Sequence, residues 1–143
     1  MKFLTRMALG LAGSALSSGA AFAAINADAV HLALDSLLVA SSKRSVINAM
    51  RENHGTPPAD NAAAKLGAPE SMTTSEISRI VVSNGVINVY LAPVSGTDHG
   101  IVQYVPKIMK GPKTGKAVEF VCNSPNIPDI ATVVPSCKYV PRN

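Results

Sequence analysis

The sequence predicts an α+β domain in which one long N-terminal helix packs on a four-stranded antiparallel sheet, closed towards its C-terminus by a disulfide loop. Three observations lead there. Residues 25–53 contain no Gly or Pro and are rich in Ala and Leu, a composition that favours helix. Asn84-Gly85 stands between two β-rich runs, Ile80–Ser83 and Val86–Leu91, the strongest short-range hairpin signature. The only two cysteines, Cys122 and Cys137, bracket a segment carrying Pro125, Pro128 and Pro135, so that segment can be neither a regular helix nor a central strand.

In chain order, the first element is one expected to be removed. Lys2 and Arg6 flank the start of a small, apolar run, Met7–Leu16, and Ala21-Phe22-Ala23 places small residues where a signal peptidase reads them. The competing reading is a transmembrane anchor, but the run is about ten residues and a span needs about twenty. The expected organisation is therefore a secretory signal over 1–23 and one globular domain over 24–143. The net charge of +4 falls to about +2 once Lys2 and Arg6 leave, so total charge gives no support to nucleic-acid binding, which must rest on local clustering. Aromatic content is 4% and Trp is absent, which argues against a large aromatic binding platform. The signal and the cysteine pair jointly imply an oxidising compartment, periplasmic or extracellular, and a bond between Cys122 and Cys137. Closing a loop of about sixteen residues stabilises a fold by roughly 3 kcal/mol in the loop-entropy account.

The helix over 25–53 has Asn26 or Asp28 as its cap and His54-Gly55, followed by Pro57-Pro58, as its stop. Val30, Leu34, Leu37, Leu38 and Ser41 fall on one face, and Val46, Ile47 and Met50 on a rotated one. Either a single helix lies diagonally across the sheet, the simpler expectation, or its two halves pack against different things. Residues 55–78 read as a connecting loop with a short helical turn at Asn61–Leu66; a loop this long is expected to be functional or laid on the core. In the hairpin, Ser83 should pair with Val86, Val82 with Ile87 and Ile80 with Val89. That register puts Ile80, Val82, Ile87, Val89 and Leu91 on the core face and Arg79, Val81, Ser83, Val86, Asn88 and Tyr90 on the other. Ile101–Met109 and Ala117–Cys122 supply two further strands, with Val118, Phe120 and Cys122 pointing inward.

Chemistry-bearing patterns are sparse. His31, His54 and His99 are widely spaced with no ligand cluster around them, so no metal is expected, and no cofactor. Asp98-His99-Gly100 has no nucleophile motif to serve and reads as a surface turn, and no catalytic residues are assigned. Gly111-Pro112-Lys113-Thr114-Gly115-Lys116 falls short of a phosphate loop, because Pro112 lacks an N–H and the spacing to the lysine is incomplete. Lys107, Lys110, Lys113 and Lys116 recur every third residue, followed by Lys138 and Arg142. Together they would form a basic stripe able to touch phosphates; the plainer account is a solvated loop whose lysines keep a strand edge soluble.

In several stretches, taken in order, the sequence resembles the globular domain of bacterial type IV pilins. They are Lys43–Pro58, KRSVINAMRENHGTPP; Asn61–Ala64 through Pro69; Val82–Ile87; and Val118–Cys122 with Val133–Cys137. The resemblance implies a helix, a loop, a four-stranded antiparallel sheet and a disulfide-bounded loop at the C-terminal end. It departs from that family at the N-terminus, where Gly-Phe-Thr-Leu-Ile-Glu and a long apolar helix are expected and an ordinary secretory signal stands instead. What the resemblance implies is a non-enzymatic interaction protein, periplasmic or secreted, associated with type IV pili, adhesion or surface attachment. Its partners would be pilus subunits or a surface receptor, met through the disulfide loop and the loop from Gly55 to Ser78. The alternative it implies is a DNA-binding subunit acting in DNA uptake, with Lys107, Lys110, Lys113, Lys116, Lys138 and Arg142 as contacts.

Overall fold

A computed structural model describes residues 24–111 and 115–143; the expected signal over 1–23 and Lys113 lie outside them. The chain is α+β. Helices α1 (Ala27–Leu34) and α2 (Leu37–Glu52) cover one face of a five-stranded sheet in the order β1 (Ile77–Ser83), β2 (Val86–Leu91), β3 (Ile101–Gly111), β4 (Gly115–Ser124), β5 (Cys137–Tyr139). A single helical turn, α3 (Ile130–Val133), lies between β4 and β5. Among the described residues no helix is long and apolar enough to cross a membrane.

The single-helix expectation is corrected at Asp35-Ser36. Ser36 takes an extended backbone (φ −64, ψ 150), and its Oγ accepts from the Val39 N–H at 3.3 Å, so it starts a second helix. Serine competes for backbone hydrogen bonds and favours caps, which is how a break arises without Gly or Pro. The break re-aims the apolar stripe. Val30 and Leu34 are buried, but Leu37 is 88% exposed, and α2 buries Val39, Ser42, Val46, Ala49 and Met50 instead. Ser42 satisfies its buried hydroxyl by donating to the Leu38 carbonyl at 2.8 Å, and small Ser42 and Ala49 let the helix approach the sheet closely.

The β1–β2 hairpin has the register that its Asn-Gly turn predicts, with Ser83 opposite Val86, Val82 opposite Ile87 and Ile80 opposite Val89. Both turn residues take positive φ, Asn84 at 47° and Gly85 at 79°. Ile80, Val82, Ile87, Val89 and Leu91 are all buried, each contributing roughly 1.5–3 kcal/mol through removal from water. At Ser78 the register slips by one residue, a bulge whose hydroxyl donates to the Tyr90 carbonyl at 3.2 Å. The turn is also clamped from outside: the Asn84 and Gly85 N–H groups donate to the Ala59 and Pro58 carbonyls. A Cβ at Gly85 would meet Pro57 Cβ at 2.7 Å, in a conformation that side chains already disfavour. Gly85→Ala is expected to cost roughly 1–3 kcal/mol, read as a shifted urea midpoint; an unchanged midpoint would show that the 57–59 segment yields freely.

The four-stranded antiparallel expectation is corrected by β5. Cys137–Tyr139 pairs parallel to Cys122–Ser124, making the sheet five-stranded and mixed. Three residues following Pro135 carry too little pattern to read as a strand, and the pairing comes from the covalent tie between Cys122 and Cys137, whose Cα atoms are 4.4 Å apart. β3 and β4 run past their neighbours: β2 pairs with β3 as far as Tyr104, β5 pairs with β4 from Cys122 onward, and residues 105–111 and 115–121 form a two-stranded arm. Pro106 sits where β2 has ended, so its missing N–H costs no bond to that neighbour.

Candidate functional site

The disulfide-bounded segment, expected as an exposed contact loop, is half plug and half surface. Ile127 and Ile130 are buried in the main core, and α3 occupies the window between Pro128 and Pro135. Ser124 and Asn126 tie the segment to the start of β3. The Ser124 hydroxyl donates to the Ile101 carbonyl at 2.7 Å and accepts from the Ile127 N–H at 3.0 Å. The Asn126 amide accepts from the Ile101 N–H at 2.9 Å and donates to the His99 carbonyl at 2.8 Å. What remains exposed is Asn126, Pro128, Asp129, Ala131, Thr132, Pro135 and Ser136.

The loop after α2 lies along the opposite edge of the sheet. Its organiser is Asn61, 6% exposed, whose side chain takes the place of a sixth strand beside β1. Nδ2 donates to the Ile80 carbonyl and the Gly67 carbonyl, each at 3.0 Å, and Oδ1 accepts from the Val82 N–H at 2.6 Å. The expected turn at Asn61–Leu66 is present, closed by the Leu66 N–H on the Asn61 carbonyl. Ala64 and Met72 are buried beneath it, so this loop is laid on the core.

Period-2 alternation distributes the candidate cations over both faces of the sheet. Lys107 lies opposite Glu119 on the face away from the helices, whereas Lys110 points to the other side, with Lys116 as its backbone partner across the arm. Lys138, opposite Asn123, shares the outer face, and Arg142 reaches over it from the C-terminus, beside Val81, Ser83, Val86, Asn88, Tyr90 and Gln103. The spacing of three therefore does not make a continuous stripe on a strand. Lys107, Lys138 and Arg142 share one face, and Arg79, which the sequence did not single out, joins them, its guanidinium 4.1 Å from the centroid of the Tyr90 ring.

A row of paired residues crosses this outer face from edge to edge: Val81, Asn88, Gln103, Asn123 and Lys138. Asn88 is nearly buried, donates to the Val81 carbonyl at 3.2 Å and accepts from Gln103 Nε2 at 2.7 Å. Half-buried Val86, Val105 and Val121 lie alongside. The alternation within β2 could have pointed to Asn88 and Tyr90, but the row exists only through the β2–β3 and β4–β5 registers, which no local signal encodes.

Between the helices and the sheet, Lys43 Nζ sits 3.6 Å from the centroid of the Tyr104 ring. Burial lowers the Lys43 pKa, opposed by Asp35, and burial with a smaller contribution from Asp35 pushes Tyr104 from about 10 up to about 12. Because the Tyr104 pKa is raised on folding, its contribution is fully present below pH 10 and is lost as pH climbs towards 12, roughly 2–3 kcal/mol in all. Lys43 acts in the opposite sense, adding stability as pH rises to its unfolded value of 10.5. Urea midpoints should therefore fall across the Tyr104 window in the native protein and not in Tyr104→Phe; parallel curves would rule the tyrosine out.

His99 and Asp98 form an exposed pair at 3.2 Å on a surface turn. Among the described residues no three His, Cys, Asp or Glu side chains converge on a point that could hold a metal ion. No protein-family model matches the chain, and no curated protein is recognisably similar to it.

Proposed function

We propose that the chain is a non-enzymatic, pilin-like interaction protein that works at type IV pili or in surface attachment. The observation that supports this reading most is the placement of the C-terminal disulfide: it bounds the segment that follows a helical layer, a loop and four consecutive antiparallel strands, the order that the pilin resemblance implies. The exposed part of that segment, Pro128 to Ser136, together with Lys138 and Tyr139 on β5, is the contact edge for a pilus subunit or a surface receptor. Function here is surface recognition, which needs a rigid presented edge, and the ties through Ser124 and Asn126 provide that rigidity.

The test is cosedimentation of the purified protein with sheared type IV pili, alongside a Thr132→Glu/Lys138→Glu variant. Binding by the native protein and loss in the variant supports the reading; absence of binding by the native protein sinks it. N-terminal sequencing with fractionation checks the processing that goes with it, a soluble chain starting at Ala24. The DNA reading is carried by Lys107, Lys138 and Arg142 sharing one face. It requires gel retardation that weakens steeply with salt, and a protein that retards no DNA at low salt is not that subunit.

A further inference from the structure

Two exposed surfaces of this chain are opposite in charge, and each has apolar side chains at its centre. The outer face of the sheet has an apolar and amide centre, Val86, Val105, Val121, Gln103 and Asn123, with Arg79, Lys107, Lys138 and Arg142 around it and Glu119 as its acid. A wet rim of charge around a half-apolar centre is the anatomy of a protein-binding surface, whereas a phosphate backbone is met by a continuous cationic track. In the helix layer on the opposite face, Asp28 and Leu32 on α1 and Asp35 at its C-cap follow one another at i, i+4 and i+7, and Leu37 follows at the start of α2. Leu32 is 62% exposed and Leu37 88%, beside a hollow of about 500 Å³ lined by Asp28, His31, Leu32, Asp35 and Ser36. Neither Asp28 nor Asp35 has an ion-pair partner among the described residues, and the same holds for Arg79, Lys107, Lys138 and Arg142.

We propose that the occupant of the outer sheet face is a second copy of this chain, docked by the Leu32–Leu37 corner of its helix layer, with Asp28 and Asp35 opposite Arg79 and Arg142. The two surfaces are different patches on opposite sides of the molecule, so the contact is head-to-tail, and a docked pair leaves one patch of each kind open. Copies therefore add in series, into a short chain or a closed ring. This goes beyond the pilin-like reading and does not depend on it, since it needs no pilus and no other protein.

Sedimentation equilibrium of the purified protein tests it. The weight-average mass should rise above the monomer with concentration, and raising salt from about 50 mM to about 500 mM should weaken association by about tenfold. Leu32→Ser/Leu37→Ser removes the helix patch and Arg79→Glu/Arg142→Glu the sheet patch; both sets are exposed, so the melting temperatures should stay near that of the native protein. Each variant alone should be monomeric, and their mixture should form a one-to-one dimer and nothing larger, because one good patch of each kind remains. A native protein that is monomeric throughout, a variant that still self-associates, or a mixture that stays monomeric would each overturn the proposal.

Discussion

Asn61→Ala is expected to destabilise the domain by roughly 2–4 kcal/mol, the loss expected when buried backbone groups lose their partner. The side chain serves the Val82 N–H and the Ile80 and Gly67 carbonyls at once, and alanine can replace none of those bonds. Water reaches the hollow lined by Asp60, Asn61, Leu66 and Val82, which keeps the loss short of three full desolvation penalties. Against a total stability of roughly 5–15 kcal/mol for a domain, that is a large fraction. Asn61→Asp sharpens the test. A carboxylate can still accept from Val82 but repels the two carbonyls, so its pKa should rise on folding. A raised carboxyl pKa means stability present at acid pH and lost as pH rises, so the deficit of Asn61→Asp should shrink between about pH 7 and about pH 4. Chemical denaturation of both variants checks this, with hydrogen exchange at Val82; an unprotected Val82 amide in the native protein would argue that the side chain does not close the β1 edge.

The second large effect is expected at the disulfide. Cys137→Ser should lower stability by roughly 2–5 kcal/mol. The bond spans 15 residues of separation, and it also holds β5 in register with β4 and keeps Ile127 and Ile130 in the core. A midpoint drop of roughly 10 °C or more follows for a domain of this size. Reduction of the native protein should reproduce most of that drop. A melting temperature that is indifferent to both the mutation and the reductant would mean that β5 and the plug hold without the bond.

The legible parts of this chain were those written in local chemistry. The Asn84-Gly85 turn forces positive φ at two adjacent residues, and that single constraint, propagated at period 2, assigns every hairpin residue from Arg79 to Leu91 to its face. In the same way, the cysteine pair foretold the bond between Cys122 and Cys137. Helix content over 25–53 was legible too, but not the break at Asp35-Ser36, since a serine inside a helix-favouring stretch becomes a cap only when packing pulls the two halves to different partners. The basic candidates were legible as a list and not as a surface. A spacing of three puts successive lysines on opposite faces of a strand, so Lys107 and Lys110 part company as soon as the arm forms.

What the sequence by itself determined, then, is the α+β class, the hairpin with its register, and the staple at the C-terminal end, because each depends on residues within a few positions of one another or on a covalent bond. The tertiary structure decided the rest: the fifth strand and its parallel direction, Asn61 closing the β1 edge from 19 and 21 residues away, and the outer-face row from Val81 to Lys138. Those features join segments far apart in the chain, and their energy lies in hydrogen bonds and registers that exist only after the layers have packed. The Leu32–Leu37 corner belongs with them. Leu37 falls on the core face predicted with Val30 and Leu34, and only the break at Ser36 turns it out to solvent, next to Leu32 on the exposed side of α1.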